Sequence, residues 1–212
     1  NRIIIIPSAK LLFLGIPKAG STEWFQFMRY VMGAADYLSL PHYKSDLSEY
    51  HLPRHNEEVI TKILSDPTWF KALMMRDPAE RLLSAYFDRI VNRHYTQKFF
   101  KLHLEEKDYV LNFTEFVDLV VAKPNHSQSP LGLHYKSDPH WAPQMLTSGL
   151  QNFFPLFDFI GNIEHAAVHT KLLLERVGLW EDYGRTYNPN IDHDNTISPC
   201  SRLPLLSSSN NG

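Results

Sequence analysis

Lys10-Leu11-Leu12-Phe13-Leu14-Gly15-Ile16-Pro17-Lys18-Ala19-Gly20-Ser21-Thr22 is the stretch that decides the fold. The apolar run from Lys10 to Ile16, stopped by Pro17, reads as a strand buried on both faces of a parallel sheet. Trp24, Phe25, Phe27, Met28 and Val31 then recur at helical spacing, and Gly33 supplies a C-terminal stop. Between strand and helix lies a loop with the chemistry of an anion site. Gly20 lets backbone approach a ligand closely, and Ser21 and Thr22 offer hydroxyls and amides at a helix N-terminus. Lys18 adds a mobile positive charge. The order G-x-x-x-x-G-K-[ST] is absent, so this is P-loop-like and not a Walker A loop. The plain alternative is an ordinary strand-to-helix turn carrying a lysine.

A second strand-to-helix unit follows. Trp69-Phe70-Lys71-Ala72-Leu73-Met74-Met75 reads as a buried strand, and Ala79 to Val91 as a helix with Pro78 in its first turn. Arg76 stands at the strand end, and Ser84 follows eight positions on (84 − 76). A guanidinium can grip a phosphate bidentately where an ammonium cannot. The plain alternative pairs Arg76 with Asp77 or Glu80 and leaves Ser84 on the surface. Arg81 and Arg89 are expected in helix-face ion pairs. Two anion sites, each after a strand, point to a ligand with two separated anionic groups.

Further out, Glu57 to Leu64 and Phe113 to Ala122 read as helices, and Phe157 to Gly161 as a third buried strand. Asn162 to Val177 reads as an amphipathic helix ended by Gly178. Leu38 to Asn56 reads as loop with room for a short strand, and Lys123 to Pro139 as a long loop whose length points to a functional role. The expected fold is α/β, a central parallel sheet flanked by helices. The domain is expected to span residues 1–184, with 185–212 an irregular tail.

Composition narrows the function. The chain has 212 residues, 43% apolar, with net charge −2. No global basic field draws it to nucleic acid or to a membrane surface. The single cysteine, Cys200, allows neither an intrachain disulfide nor a cysteine-built zinc site. No apolar run reaches the ~20 residues of a membrane span. His165 and His169 are four apart, a metal-compatible spacing, but an exposed helix face is the expected reading, and Asp192-His193-Asp194 reads as solvated tail.

Taken together, these segments resemble the sulfotransferases that use 3′-phosphoadenosine 5′-phosphosulfate (PAPS), and among them the carbohydrate sulfotransferases most. Pro17-Lys18-Ala19-Gly20-Ser21-Thr22 is similar to that family's 5′-phosphosulfate loop. Arg76-Asp77-Pro78-x-x-Arg81-x-x-Ser84-Ala85-Tyr86 is similar to its 3′-phosphate segment. His140-Trp141-Ala142-Pro143-Gln144 and Asp158-Phe159-Ile160-Gly161-x-x-Glu164 also look like the family.

The resemblance implies roles residue by residue. Lys18 neutralises charge on the sulfuryl group and its bridging oxygen. Lys18, Ala19, Gly20, Ser21 and Thr22 form the 5′ loop, and Arg76 and Ser84 hold the 3′-phosphate. The product is 3′,5′-adenosine bisphosphate (PAP), and no metal is required. The base that takes the acceptor proton is expected between the two motifs, a histidine mostly neutral at working pH. His51 in His51-Leu52-Pro53 is preferred, with His55 and His42 as alternatives. The expected acceptor is a hydroxyl, on a saccharide by the carbohydrate-type segments. The compartment implied for a eukaryotic source is the Golgi lumen, with the cytosol as alternative. Adenine recognition is open, because Glu23 stands where cytosolic relatives carry tryptophan and Trp24 reads as core. Two other functions fit the loops, a nucleotide-dependent phosphotransferase and a non-catalytic nucleotide or glycan binder.

Overall fold

The computed structural model describes residues 2–35, 37–38, 57–92, 111–121 and 138–187. The three candidate histidines His42, His51 and His55, the stretch 39–56, most of the loop ending at Pro139, Cys200 and the Asp192 to Asp194 tail lie outside them. The described residues build a sheet of four strands in the order β1-β2-β3-β4. These are β1 (Ile3–Ile6), β2 (Leu11–Leu14), β3 (Phe70–Met75) and β4 (Phe159–Asn162). β2, β3 and β4 run parallel, with Leu12 opposite Lys71 and Leu73 opposite Ile160.

β1 pairs antiparallel to β2, Ile3 opposite Leu14. The Ile3 to Ile6 run therefore forms an antiparallel strand at one edge of an otherwise parallel sheet. Pro7 opens a single 3-10 turn, and Lys10, left-handed at φ 45°, closes the return into β2.

Side chains alternate across the sheet with period two. Phe13 of β2 and Ala72 and Met74 of β3 face α1 (Ser21–Val31) and the later helix Ala166–Arg176. Leu12, Leu14 and Leu73 face the opposite way, toward α2 (Glu57–Ser65) and the segment carrying Leu150. Each fully buried aliphatic or aromatic side chain contributes about 1.5–3 kcal/mol, so the two layers hold the strand ends in place. Trp24 is core, as its spacing implied, stacked on Phe13 with ring centroids 4.6 Å apart.

A third cluster joins α3 (Pro78–Tyr86) to α4 (Phe113–Val121). Ala85, Ile90, Phe116 and Trp141 pack there, Trp141 edge-on to Phe116 at 5.6 Å. Trp141 thus anchors the 138–144 segment against the α3 side of the protein.

β4 departs from its expected buried character. Ile160 is 44% exposed, and the strand begins at Phe159, two residues later than the apolar run suggested. Asp158, exposed just before the strand, accepts the Lys71 amide through its carboxylate at 2.8 Å. The helix expected from Asn162 starts as a 3-10 turn over Ile163–His165, and α5 proper is Ala166–Arg176.

Candidate active site

The loops after β2 and β3 meet over the C-terminal ends of the parallel strands. Pro17 to Gly20 forms a tight turn in which the Ala19 amide bonds the Ile16 carbonyl at 3.2 Å. Lys18 is left-handed at φ 66° and Gly20 at φ 73°. A non-glycine residue held there costs on the order of 1–2 kcal/mol. A side chain at Gly20 would be strained by this left-handed backbone, and its Cβ would lie 2.8 Å from Ile163 Cδ1, which would have to shift.

Gly20 is also the N-cap of α1, and no side chain among the described residues caps the helix. Trp24 N–H is the first to bond back, to the Gly20 carbonyl at 3.1 Å. The amides of Ser21, Thr22 and Glu23 precede that first helical bond, which is the arrangement that attracts an anion.

Arg76 leaves β3 beside this turn. Its Nη1–H donates to the Lys18 carbonyl at 3.3 Å, and Nη2 lies 3.6 Å from Glu80. The expected alternative pairing with Glu80 is therefore present but long. Nε of Arg76 is buried and has no hydrogen-bond partner among the described residues. A buried donor without a partner costs roughly 1–3 kcal/mol, a cost that a bound anion would remove. The backbone of Arg76 is held at both ends by Gln144, which accepts its N–H at 3.0 Å and donates to its carbonyl at 2.7 Å. Glu164 accepts the Asp77 amide at 2.9 Å. Asp77 in turn caps α3, accepting from the amides of Ala79 and Glu80.

Arg81 corrects the expectation of a helix-face ion pair. It is buried and bonds three backbone carbonyls: Pro17 at 2.9 Å, Ala142 at 2.8 Å and Pro139 at 2.7 Å. Burial, with Arg2 nearby, pulls its pKa down to about 10, so it stays a cation at neutrality. One guanidinium thereby ties the Lys18 turn to the His140 segment.

Arg89 does pair with its neighbour Asp88, Nε to Oδ2 at 3.1 Å. The same carboxylate oxygen lies 2.9 Å from Lys18 Nζ. Both residues sit in a π-helical turn, Phe87–Val91, that continues α3. Such turns recur at functional sites because they redirect side chains within a helix.

Lys18, Gly20, Ser21, Thr22, Arg76, Ser84, Asp88, Arg89 and His140 share one cavity of about 1080 Å³. Ala19 is buried behind the turn. Trp24, Phe27, Leu174 and Tyr187 also line the cavity and give it an apolar wall. Phe27 and Tyr187 meet edge-on at 5.1 Å. Burial, helped by Tyr37 and Glu23, pushes the Tyr187 hydroxyl above its ordinary range, so it stays neutral.

The motif residues thus come together, and Asp88, Arg89 and His140, which sequence reasoning did not assign to the site, line the same cavity; Asp138 bonds His140, and Gln144 bonds the Arg76 backbone. Asp88 carried a usable signal, standing one helical turn after Ser84 (88 − 84 = 4) and so on the same face. The contacts of Gln144 span 68 positions and leave no local signature. His165 and His169 stay apart from the cavity; His169 Nδ1 accepts the Asn162 amide at 2.8 Å. Among the described residues no cluster of three His, Cys, Asp or Glu side chains is placed to hold a metal.

A family model described as the sulfotransferase family matches residues 1–203. The chain is 30% identical over 143 residues to human carbohydrate sulfotransferase 10, covering 59% of this chain and 39% of that protein. The chicken protein of the same name is 31% identical over 146 residues, with the same coverage. Human carbohydrate sulfotransferase 9 is 25% identical over 198 residues, covering 84% of this chain and 41% of that protein. The matched region spans about two fifths of these relatives' length. No solved structure matches the chain.

Proposed function

The chain belongs to the sulfotransferase family, and on that premise we propose that it transfers a sulfuryl group from PAPS to a hydroxyl group, on a saccharide by analogy with the relatives' names. The observation that carries this reading is the direct bond between the two anion loops, Arg76 Nη1–H to the Lys18 carbonyl at 3.3 Å. It brings two cationic side chains and an uncapped helix N-terminus to one cavity wall, as a donor with a phosphate at each end of its ribose requires.

The residues present fit that donor. The α1 amides and the Ser21 and Thr22 hydroxyls suit the 5′-phosphate. The unpartnered Nε of Arg76, with Ser84, suits the 3′-phosphate. The apolar wall of Trp24, Phe27, Leu174 and Tyr187 suits the purine. Bound there, the donor supplies an activated sulfuryl group. Lys18 balances the negative charge that grows on the departing phosphate oxygen. The acceptor oxygen forms its bond to sulfur as the bond from sulfur to that phosphate oxygen breaks. The acceptor proton passes to a base, for which His51 is the leading candidate, with His55 and His42 behind it. All three lie outside the described residues.

For a eukaryotic source the proposed compartment is the Golgi lumen, with the cytosol as the alternative. Among the described residues no helix is long and apolar enough to cross a membrane. The proposal is tested by incubating the protein with PAPS labelled in its sulfuryl group and a panel of saccharide acceptors. Label should move to an acceptor with wild-type protein and fail to move with Lys18→Ala. Transfer of label at the wild-type rate by Lys18→Ala would overturn the assignment.

A further inference from the structure

Lys18 is the end of a chain of charged contacts. Its Nζ lies 2.9 Å from Asp88 Oδ2, and that oxygen lies 3.1 Å from Arg89 Nε. Arg89 Nη2 contacts His140 Nε2 within hydrogen-bonding range. His140 Nδ1 meets Asp138 Oδ1 at 2.7 Å, and the His140 backbone amide donates to the same oxygen at 2.8 Å. Arg81 clamps the carbonyls of Pro139 and Ala142 on either side of His140. The chain therefore starts in a fixed loop and ends on the lysine of the donor turn.

The partners decide the state of the imidazole. A guanidinium can only donate, so Nε2 must offer its lone pair to Arg89. An ionised carboxylate can only accept, so Nδ1 must carry the proton. His140 is the neutral Nδ1–H tautomer by this assignment.

We propose that His140 and Asp138 are positioning residues for sulfuryl transfer, holding Arg89 and, through Arg89 and Asp88, fixing the Lys18 ammonium at the reacting end of the cavity. This rests on the function proposed above. Among the described residues three charged groups face His140: Asp138 from its own segment, Arg89 from the π turn after α3, and Arg2 from the chain leading into β1. Protonating His140 removes the lone pair that Arg89 uses and sets a third cation against Arg89 and Arg2. Arg89 is then released, and Asp88 loses the partner that aims it at Lys18. Burial, with Arg89 and Arg2 nearby, outweighs Asp138 and holds the imidazole below its ordinary range, so the neutral form prevails at neutrality.

The test compares His140→Gln with His140→Ala at several pH values. A glutamine can accept from Arg89 and donate to Asp138, and it does not titrate. His140→Ala should lose on the order of 100-fold in kcat, the penalty of a misplaced catalytic group, with KM for PAPS little changed. His140→Gln should recover most of that rate and lose the wild-type acid limb. If His140→Gln is as inactive as His140→Ala while still binding PAP, His140 takes the proton itself and the positioning role is wrong. A second readout needs no turnover. The Arg89 Nε–H signal, followed by nitrogen-15 NMR, should shift as His140 titrates in wild type and stay flat in His140→Gln. A flat signal in wild type overturns the inference, whereas absence of sulfuryl transfer with a responsive signal overturns only the proposed function.

Discussion

Gln144 holds the backbone of Arg76 with both ends of one amide, accepting its N–H at 3.0 Å and donating to its carbonyl at 2.7 Å. The pairing mimics one rung of a sheet at the point where β3 ends. It fixes the backbone at the residue from which the guanidinium leaves.

Replacing Gln144 by alanine removes both bonds and leaves two backbone groups in a half-buried place. Each such loss costs about 1–3 kcal/mol. The expected outcome is a lower Tm and weaker PAP binding from a wandering Arg76. Gln144→Glu keeps the acceptor and loses the donor, so it should fall between the two. PAP affinity equal to wild type in Gln144→Ala would show that the clamp does not position Arg76.

Arg81 bonds three carbonyls from two loops. A lysine in its place keeps the charge but, with one ammonium, cannot span three acceptors in a planar fork. Arg81→Lys should destabilise the fold by about 2–6 kcal/mol, two unmade bonds at about 1–3 kcal/mol each for buried acceptors. Chemical denaturation measures it. A change of less than a few tenths of a kcal/mol would mean that water takes over the two carbonyls.

Gly20 combines φ 73° with a crowded Cβ position, 2.8 Å from Ile163 Cδ1. Gly20→Ala should cost roughly 1–2 kcal/mol from the left-handed backbone alone. Adding Ile163→Ala relieves the contact but not the backbone strain. The double variant should therefore recover only part of the loss in Tm and in PAP binding, and full recovery would contradict the backbone argument.

Stability should depend on pH through His140. Its folded pKa lies below the ordinary value of 6.5, mainly through burial. Between the two values the unfolded chain holds a proton that the folded one does not. Folded-state stability is therefore complete above pH ~6.5 and declines as the pH falls below it. Asp138 adds a second loss at lower pH. Burial pushes its carboxyl up, but the hydrogen bonds from His140 outweigh that and hold it below its usual range. Thermal melts across this range should show the first decline in wild type and not in His140→Gln. Parallel curves for the two proteins would contradict it.

The parts of the fold that repeat locally were legible in the sequence. The runs Leu11 to Leu14 and Phe70 to Met75, each followed by an amphipathic helix, gave the parallel core because strand and helix periods differ. The antiparallel β1 was not legible as such. Ile3 to Ile6 is apolar throughout, so no alternation marks its pairing, and the single turn at Pro7 to Lys10 decides it. Of the candidate site, Lys18, Gly20, Arg76 and Ser84 were singled out because their segments have local signatures, and all four line one cavity. Arg81 was misplaced because a buried guanidinium bonded to carbonyls leaves no charge partner to read. Trp141 packs on Phe116, 25 positions away (141 − 116), which no helical or strand period marks.

The donor site is tested most directly by isothermal titration of PAP, 5′-AMP and Mg-ATP into wild-type protein and Arg76→Ala. A bidentate contact to the 3′-phosphate is worth about 1.5–3 kcal/mol, so PAP should bind roughly 10- to 150-fold tighter than 5′-AMP. Arg76→Ala should erase most of that difference while leaving 5′-AMP binding nearly intact. Equal affinities for PAP and 5′-AMP in wild type, or binding of Mg-ATP alone, would contradict the account.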